Sequence, residues 1–315
     1  MRARLFSSLK DCDNHFGDGY RLYQCGGCGV VFTCPRPGEA ETVGFYGDDY
    51  YSFRSTSLES LPLWRYVARA LVRTLPFLRA SGSSHTLPLE RVLFGMLRNV
   101  PHIVPLFFPG CDVLDIGCGA GDQMAIWREA GLNVWGVDIS PHAAAEGLKR
   151  GLKIFTGEIW DAGFADASFD IVYANQVIEH TRETHATLQE IRRVLRPGGV
   201  LIVGVPNTDN HLLRLFKSGW AFLQVPQHLL HFSPASLPAT LAQDGFAIRM
   251  VYTITPAAGL LESLGKRSPG FGRAYADYHL SALGIAAYAF LSLLLLPANL
   301  GLRGDLLYVI AAKGS

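Results

Sequence analysis

Charge is scarce in this chain. Of 315 residues only 17% are charged, and Lys+Arg 28 against Asp+Glu 27 leaves a formal net charge of +1, where ordinary soluble domains carry about 25% charged residues. With neither sign in excess, nucleic acid is not an expected partner, because phosphate backbones are held by clustered Lys and Arg. Disorder is excluded too, since 49% of the residues are hydrophobic. No internal repeat is present. The first ten residues hold Arg2, Arg4 and Lys10 but no apolar run of signal-peptide length, so a cytoplasmic, thiol-reducing setting is expected. Cysteine is also sparse, and uneven: four of the six lie at Cys12, Cys25, Cys28 and Cys34, a crowding that in a reducing compartment suits metal ligation better than disulfides.

What is present divides the chain. Residues 1–54 form a small Gly-, Cys- and Tyr-rich module with strand-like runs at Tyr20–Gln24 and Val30–Thr33. Residues 55–109 are apolar and broken by prolines, and Arg65, Arg69 and Arg73 there make a basic stripe on an amphipathic helix, forming a helical cap. From 110 to 315 short apolar runs (Val113–Ile116, Val134–Val137, Ile171–Ala174, Val200–Val205, Ala247–Ile254) alternate with helical periods. Such alternation predicts an α/β fold: a Rossmann-like, doubly wound, mainly parallel seven-stranded sheet with an antiparallel last strand at Asp305–Ala312. An apolar insertion at 255–304 interrupts it. Within that insertion Leu280–Leu302 carries no charge over 23 residues, long enough to cross a bilayer of about 30 Å. A crossing would strand the last β-strand on the far side, so a packed core helix or a helix lying on an anionic lipid surface is expected instead.

The segment richest in chemistry is Val113-Leu-Asp-Ile-Gly-Cys-Gly-Ala-Gly-Asp122, a buried strand entering a glycine turn and then a helix. Glycine allows the tight turn and close approach to a ligand, and amides at the helix start would face that ligand. A second strand ends at Asp138, 21 positions after Gly117, where a carboxylate can accept both hydroxyls of a ribose. The spacing Gly117, Gly119, Gly121 departs from the Gly-x-Gly-x-x-Gly dinucleotide pattern, and Asp122 would repel a pyrophosphate, so the turn suits a cofactor without phosphates and disfavours a nicotinamide oxidoreductase.

Taken in order, Leu114-Asp-Ile-Gly-Cys-Gly-Ala-Gly121, Gly136-Val-Asp-Ile-Ser140, Gly157-Glu158, Ser168-Phe-Asp-Ile-Val172, Val177-Ile-Glu-His180 and Leu195-Arg-Pro-Gly-Gly199 resemble the class I S-adenosylmethionine-dependent methyltransferases. The resemblance covers about 110–254 plus the last strand. It implies that Asp115 and the turn of Gly117, Cys118, Gly119 and Gly121 hold the methionyl part, Asp138 the ribose and Glu158 the adenine amino group. Ile139 and Ile159 would pack on the adenine, and Asn175 would lie beside the sulfonium. Val177–His180 and His228–Ser233 are similar to segments of quinone, sugar and natural-product methyltransferases. The implied reaction moves a methyl group to a small-molecule or lipid-linked acceptor; a catalytically silent scaffold that binds a partner is the alternative. His180, at the sheet's carboxyl edge, and His228 and His231, in a loop expected to cover the substrate, are candidate general bases or, equally, hydrogen-bonded anchors.

Cys25-Gly-Gly-Cys28 has the form of a zinc-knuckle turn, and a tetrahedral site needs four ligands. Cys12 and His15 would complete the set. The segment looks like the cysteine-bearing module found ahead of some of these methyltransferases, where the first pair is usually Cys-x-x-Cys. His15 departs from that pattern, which leaves zinc and a metal-free lid both open.

Overall fold

The computed structural model describes residues 2–4, 19–45, 110–268, 290–291 and 294–314. The expectations for Cys12, His15, the helical cap at 55–109 and most of the uncharged stretch at 280–302 lie outside the described residues. Eleven strands are described: β1 Arg2–Arg4, β2 Arg21–Cys25, β3 Val31–Cys34, β4 Asp112–Ile116, β5 Asn133–Asp138, β6 Ile154–Thr156, β7 Phe169–Asn175, β8 Leu195–Pro206, β9 Leu230–His231, β10 Phe246–Ile254 and β11 Leu306–Lys313. Seven form one sheet in the order β10-β11-β8-β7-β4-β5-β6, mainly parallel with an antiparallel end. This is the Rossmann-like arrangement expected. β6 was not legible in advance, because three residues with one buried position carry almost no period.

The chain falls into two compact units. One comprises Tyr46–Asn175, His185–Ile202 and Ala312–Ser315. Its strands β4 and β7 are buried over nearly their whole length, which explains their continuous apolar runs, since both faces of a parallel sheet are covered. Parallel pairing in register (Asp115↔Gly136, Asp115↔Tyr173, Asp138↔Thr156) brings the carboxyl ends of β4, β5 and β6 together. The helix Thr184–Val194 turns Thr187, Leu188, Ile191 and Val194 inward at helical spacing. At the opposite ends of the strands Arg196 bridges Asp112 (2.7 Å) and Asp170 (2.6 Å).

The other unit comprises Met1–Phe45, Gln176–Thr184 and Val203–Ala311. It contains a second sheet, β1-β2-β3-β9, antiparallel throughout. Alternation along the β2–β3 hairpin puts Leu22 and Val31 on one face. There they join Tyr20, Leu212, Leu213, Trp220, Leu223 and Val225 in a core. The cysteine-bearing segment obtains its core from residues distant in sequence. Pairing of β3 with β9 (Val31↔His231, Phe32↔Leu230) turns part of the expected loop at His228–Ser233 into a sheet strand. Because β11 lies beside β10, the insertion leaves and rejoins the same sheet. Among the described residues no helix is long and apolar enough to cross a membrane.

Candidate functional site

The glycine turn follows β4 directly. Gly117, Gly119 and Gly121 take φ values of 67°, 54° and 78°. Gly121 is the most constrained, for a Cβ there would lie 2.4 Å from Leu152 Cδ1. Its left-handed conformation starts the helix Asp122–Glu129.

The amides of the turn itself are spent within the fold. Those of Gly117 and Cys118 donate to the Val137 carbonyl (2.8 and 3.3 Å), that of Gly121 to the Cys118 carbonyl (3.0 Å), and that of Gly119 to Asp138 Oδ2 (2.8 Å). A phosphate-binding turn needs such donors unspent. Asp122, expected to repel phosphate by its charge, is instead paired with Arg150 at 2.7 Å. The charge argument is thereby weakened, while the turn's own committed amides add no donors for a phosphate.

Asp138 ends β5 and is buried. Its Oδ1 accepts from the Ser140 amide at 2.8 Å, as its Oδ2 does from Gly119. A carboxylate has about four lone-pair directions, so two remain for hydroxyl donors. Ser140 in turn caps the helix Pro141–Lys149, its Oγ accepting from the Ala143 amide at 3.2 Å. Asp115 is 5% exposed. Burial, and then the nearby Asp138, push its carboxyl well above the ordinary range. Asp138 is raised as well, by burial against the pull of its two amides. Burial and both aspartates likewise push the Cys118 thiol up. Two neighbouring buried carboxyls resist added negative charge and favour a cation beside them.

Two apolar side chains are exposed beyond the ends of β5 and β6. Ile139 is 53% and Trp160 42% exposed, on segments that leave the adjacent strands β5 and β6 at the same end. Trp160 was not among the expected residues; its exposure is what marks it. Ile159, expected to pack on the adenine, is buried. Glu158 is exposed and precedes the short helix Ile159–Ala162, with its carboxyl raised by neighbouring protein atoms and then by Asp161. Asn175 ends β7 and is half-buried.

The three candidate histidines converge within the second unit. His180 and His228 stack edge to face with centroids 4.6 Å apart, and His228 and His231 lie at 6.1 Å. His180 Nδ1 donates to the Gln227 carbonyl at 3.1 Å. Thr33 Oγ1 donates its one proton to the His228 carbonyl (2.6 Å), so at its 3.1 Å contact with His231 Nε2 it accepts and the ring donates. Burial holds all three rings neutral: His180 is lowered to about 4, His231 to about 3, and His228 well below its usual value. Glu179 was not singled out from sequence. It is fully buried, neither carboxylate oxygen makes a well-formed hydrogen bond, and burial raises it to about 8.

In the cysteine turn, β2 ends at Cys25, whose carbonyl accepts from the Gly29 amide at 3.0 Å. The amides of Cys28 and Gly27, and then the Cys28 side chain, draw the Cys25 thiol down to about 7. A thiol lowered in this way is more readily ionised than a free cysteine.

Residues 114–203 match the family described as a methyltransferase domain. Three curated relatives illustrate its range. The chain is 30% identical over 153 residues to a malonyl-[acyl-carrier protein] O-methyltransferase of Erwinia billingiae, covering 44% of this chain and 59% of that protein. It is 33% identical over 161 residues to the 2-methyl-6-phytyl-1,4-hydroquinone methyltransferase of Synechocystis, covering 49% and 48%. It is 39% identical over 101 residues to a sterol 24-C-methyltransferase of Gibberella zeae, covering 29% and 27%. The chain thus spans from about a quarter to three fifths of these relatives' length.

Proposed function

We propose that this protein is an S-adenosylmethionine-dependent methyltransferase acting on a small-molecule or lipid-linked acceptor. The observation that carries the reading is the pairing of Asp138 with Asp115: a carboxylate pre-positioned by two amides with lone pairs to spare, beside a second buried carboxyl that a cationic ligand would relieve. The residues fit the cofactor in kind. Asp138 would accept from the ribose hydroxyls, exposed Ile139 and Trp160 would cover an aromatic base, and Asp115 would face positive charge. S-adenosylmethionine supplies a methyl group on a sulfonium leaving group; what the chain must add is chiefly orientation and exclusion of water.

Rings held at about 4 and about 3 are weak proton acceptors at neutral pH, so the proton of a hydroxyl acceptor is not assigned to His180 or His231. The relatives' printed substrates, an acyl-carrier-bound malonyl group, a prenylated hydroquinone and a sterol, support an acceptor that is greasy or carried on a greasy arm. The same proposal includes contact with an anionic lipid surface, resting on the uncharged stretch and the arginine stripe, and zinc at Cys25 and Cys28 with Cys12 and His15. Vesicle flotation at low salt and metal analysis of the purified chain test these two parts.

Calorimetry tests the core. Saturable S-adenosylmethionine binding that is lost in Asp138→Ala, with labelled methyl transfer into fractionated extract, supports the enzyme. A folded wild-type chain that binds no S-adenosylmethionine would favour the silent scaffold.

A further inference from the structure

Glu179, His180 and His228 each offer one ligand atom, and those atoms all lie within 4.8 Å of one another. Two observations set this cluster apart from a chance meeting of polar groups. Both Glu179 oxygens and His228 Nδ1 are buried and make no well-formed hydrogen bond, the nearby amides of Glu179 and Val177 only partly offsetting the burial of the carboxyl, and the residues are 0% and 2% exposed. Leaving such atoms unpaired is costly, and natural proteins do so rarely without a ligand or strained site to account for it. Meanwhile the backbone around them is well tied. The Leu229 amide donates to the Glu179 carbonyl at 2.9 Å, and Thr33 holds the His228 carbonyl from β3.

The tautomers agree. Because a carbonyl can only accept, His180 Nδ1 must carry the proton it gives to Gln227, which puts the ring's lone pair on Nε2. A ring N–H donating to a backbone carbonyl is the arrangement that orients histidine ligands around metals. Two of the residues are buried and His180 is half-buried.

From this convergence we infer that Glu179, His180 and His228 form a site for one divalent transition-metal ion, bound through one carboxylate and two imidazoles. With metal–ligand bonds of roughly 2.0 to 2.2 Å, ligand atoms in such a site sit roughly 3 to 3.5 Å apart, so closure needs side-chain rotation of about an ångström. Three protein ligands leave at least one position open to an oxygen ligand, and a two-imidazole, one-carboxylate set favours zinc, cobalt or iron(II) over magnesium. The site shares no residue with the cysteine turn or with the Asp138 site.

Cobalt(II) distinguishes it from the cysteine turn. The full-length chain is stripped with chelator and titrated with Co²⁺, in wild type and in the double variant Cys25→Ser/Cys28→Ser. The expected result is one equivalent of visible d–d absorption that persists in the double variant without a thiolate charge-transfer band. In that background Glu179→Gln and His228→Gln should each weaken Co²⁺ binding by at least about 100-fold, with circular dichroism confirming that the variants fold. Zn²⁺ should displace the cobalt, whereas Mg²⁺ should not. If the folded double variant takes up no Co²⁺ or Zn²⁺, or if its uptake is the same with Glu179→Gln and His228→Gln, the inference is wrong. None of these readings involves S-adenosylmethionine, so the metal site and the methyl-transfer reading stand or fall separately.

Discussion

Asp305 provides a sharp test of the electrostatics of this fold. It is 1% exposed at the start of β11, with Oδ1 accepting from Trp220 Nε1 at 2.6 Å and Oδ2 unpartnered. Burial raises it to about 7, opposed by the Trp220 hydrogen bond and reinforced by Glu262. In the unfolded chain the same carboxyl ionises near its ordinary value of about 3.9. Between those two pH values the folded state therefore holds one more proton than the unfolded state, and unfolding free energy falls as pH rises, at about 1.36 kcal/mol per pH unit. Stability from this group is fully present below about pH 4 and is lost as pH climbs through about 7. Over the accessible range from about pH 5 to about pH 8 the loss comes to roughly 2 to 3 kcal/mol. Asp305→Asn keeps an oxygen for Trp220 and cannot titrate. Its buried amide lacks a partner, a pH-independent cost of about 1 to 3 kcal/mol. Denaturant unfolding of both proteins at the two pH values isolates the titrating part, because every other group cancels in the difference of differences. The expected outcome is that wild type loses about 2 to 3 kcal/mol more than the variant between the two pH values. Parallel pH profiles would show that Asp305 is ionised in the folded protein, and would refute the assignment of burial as the dominant influence.

Three further outcomes are expected. Gly121→Ala must accept a left-handed φ of 78° and a Cβ 2.4 Å from Leu152; the two together should cost about 2 to 4 kcal/mol of stability and abolish measurable S-adenosylmethionine binding by calorimetry. Because Asp115 and Asp138 are both raised in the free protein, a cationic ligand that favours their ionised forms should bind more tightly as pH rises above the ordinary carboxylate range. Protons should be released on binding, and titrations in buffers of different ionisation enthalpy will count them; uptake of protons, or none, would contradict the carboxyl pair described. Arg196→Met removes the bridge between Asp112 and Asp170, whose partners are partly exposed; about 1 to 2 kcal/mol should be lost in dilute buffer, and the difference should shrink in about 1 M salt.

The glycine turn and Asp138 were legible because their constraints are local. A buried strand, a turn that only glycine adopts easily, and an acid ending the next strand each follow from a few contiguous residues, and Gly117–Gly121 and Asp138 occupy those roles in the structure. What surrounds them was not legible. Whether the turn's amides are spent or available depends on the Val137 carbonyl and the Asp138 carboxylate, which sequence cannot place. The charge of Asp122 was visible, but its partner Arg150 was not.

The sequence by itself determined the strands of the large sheet other than β6, the glycine turn and the acid that serves it, since backbone conformation and the alternation of apolar residues are short-range properties. Only the tertiary structure decided that Thr33 on β3 would reach His228, that Glu179 would be sealed from water beside two neutral imidazoles, and that the cysteine segment would find its core against Leu212–Val225. Those arrangements arise where distant segments exclude water together. The energetic demands on a buried polar group are set by whatever neighbours folding brings to it, and they cannot be read from the residues beside it in the chain.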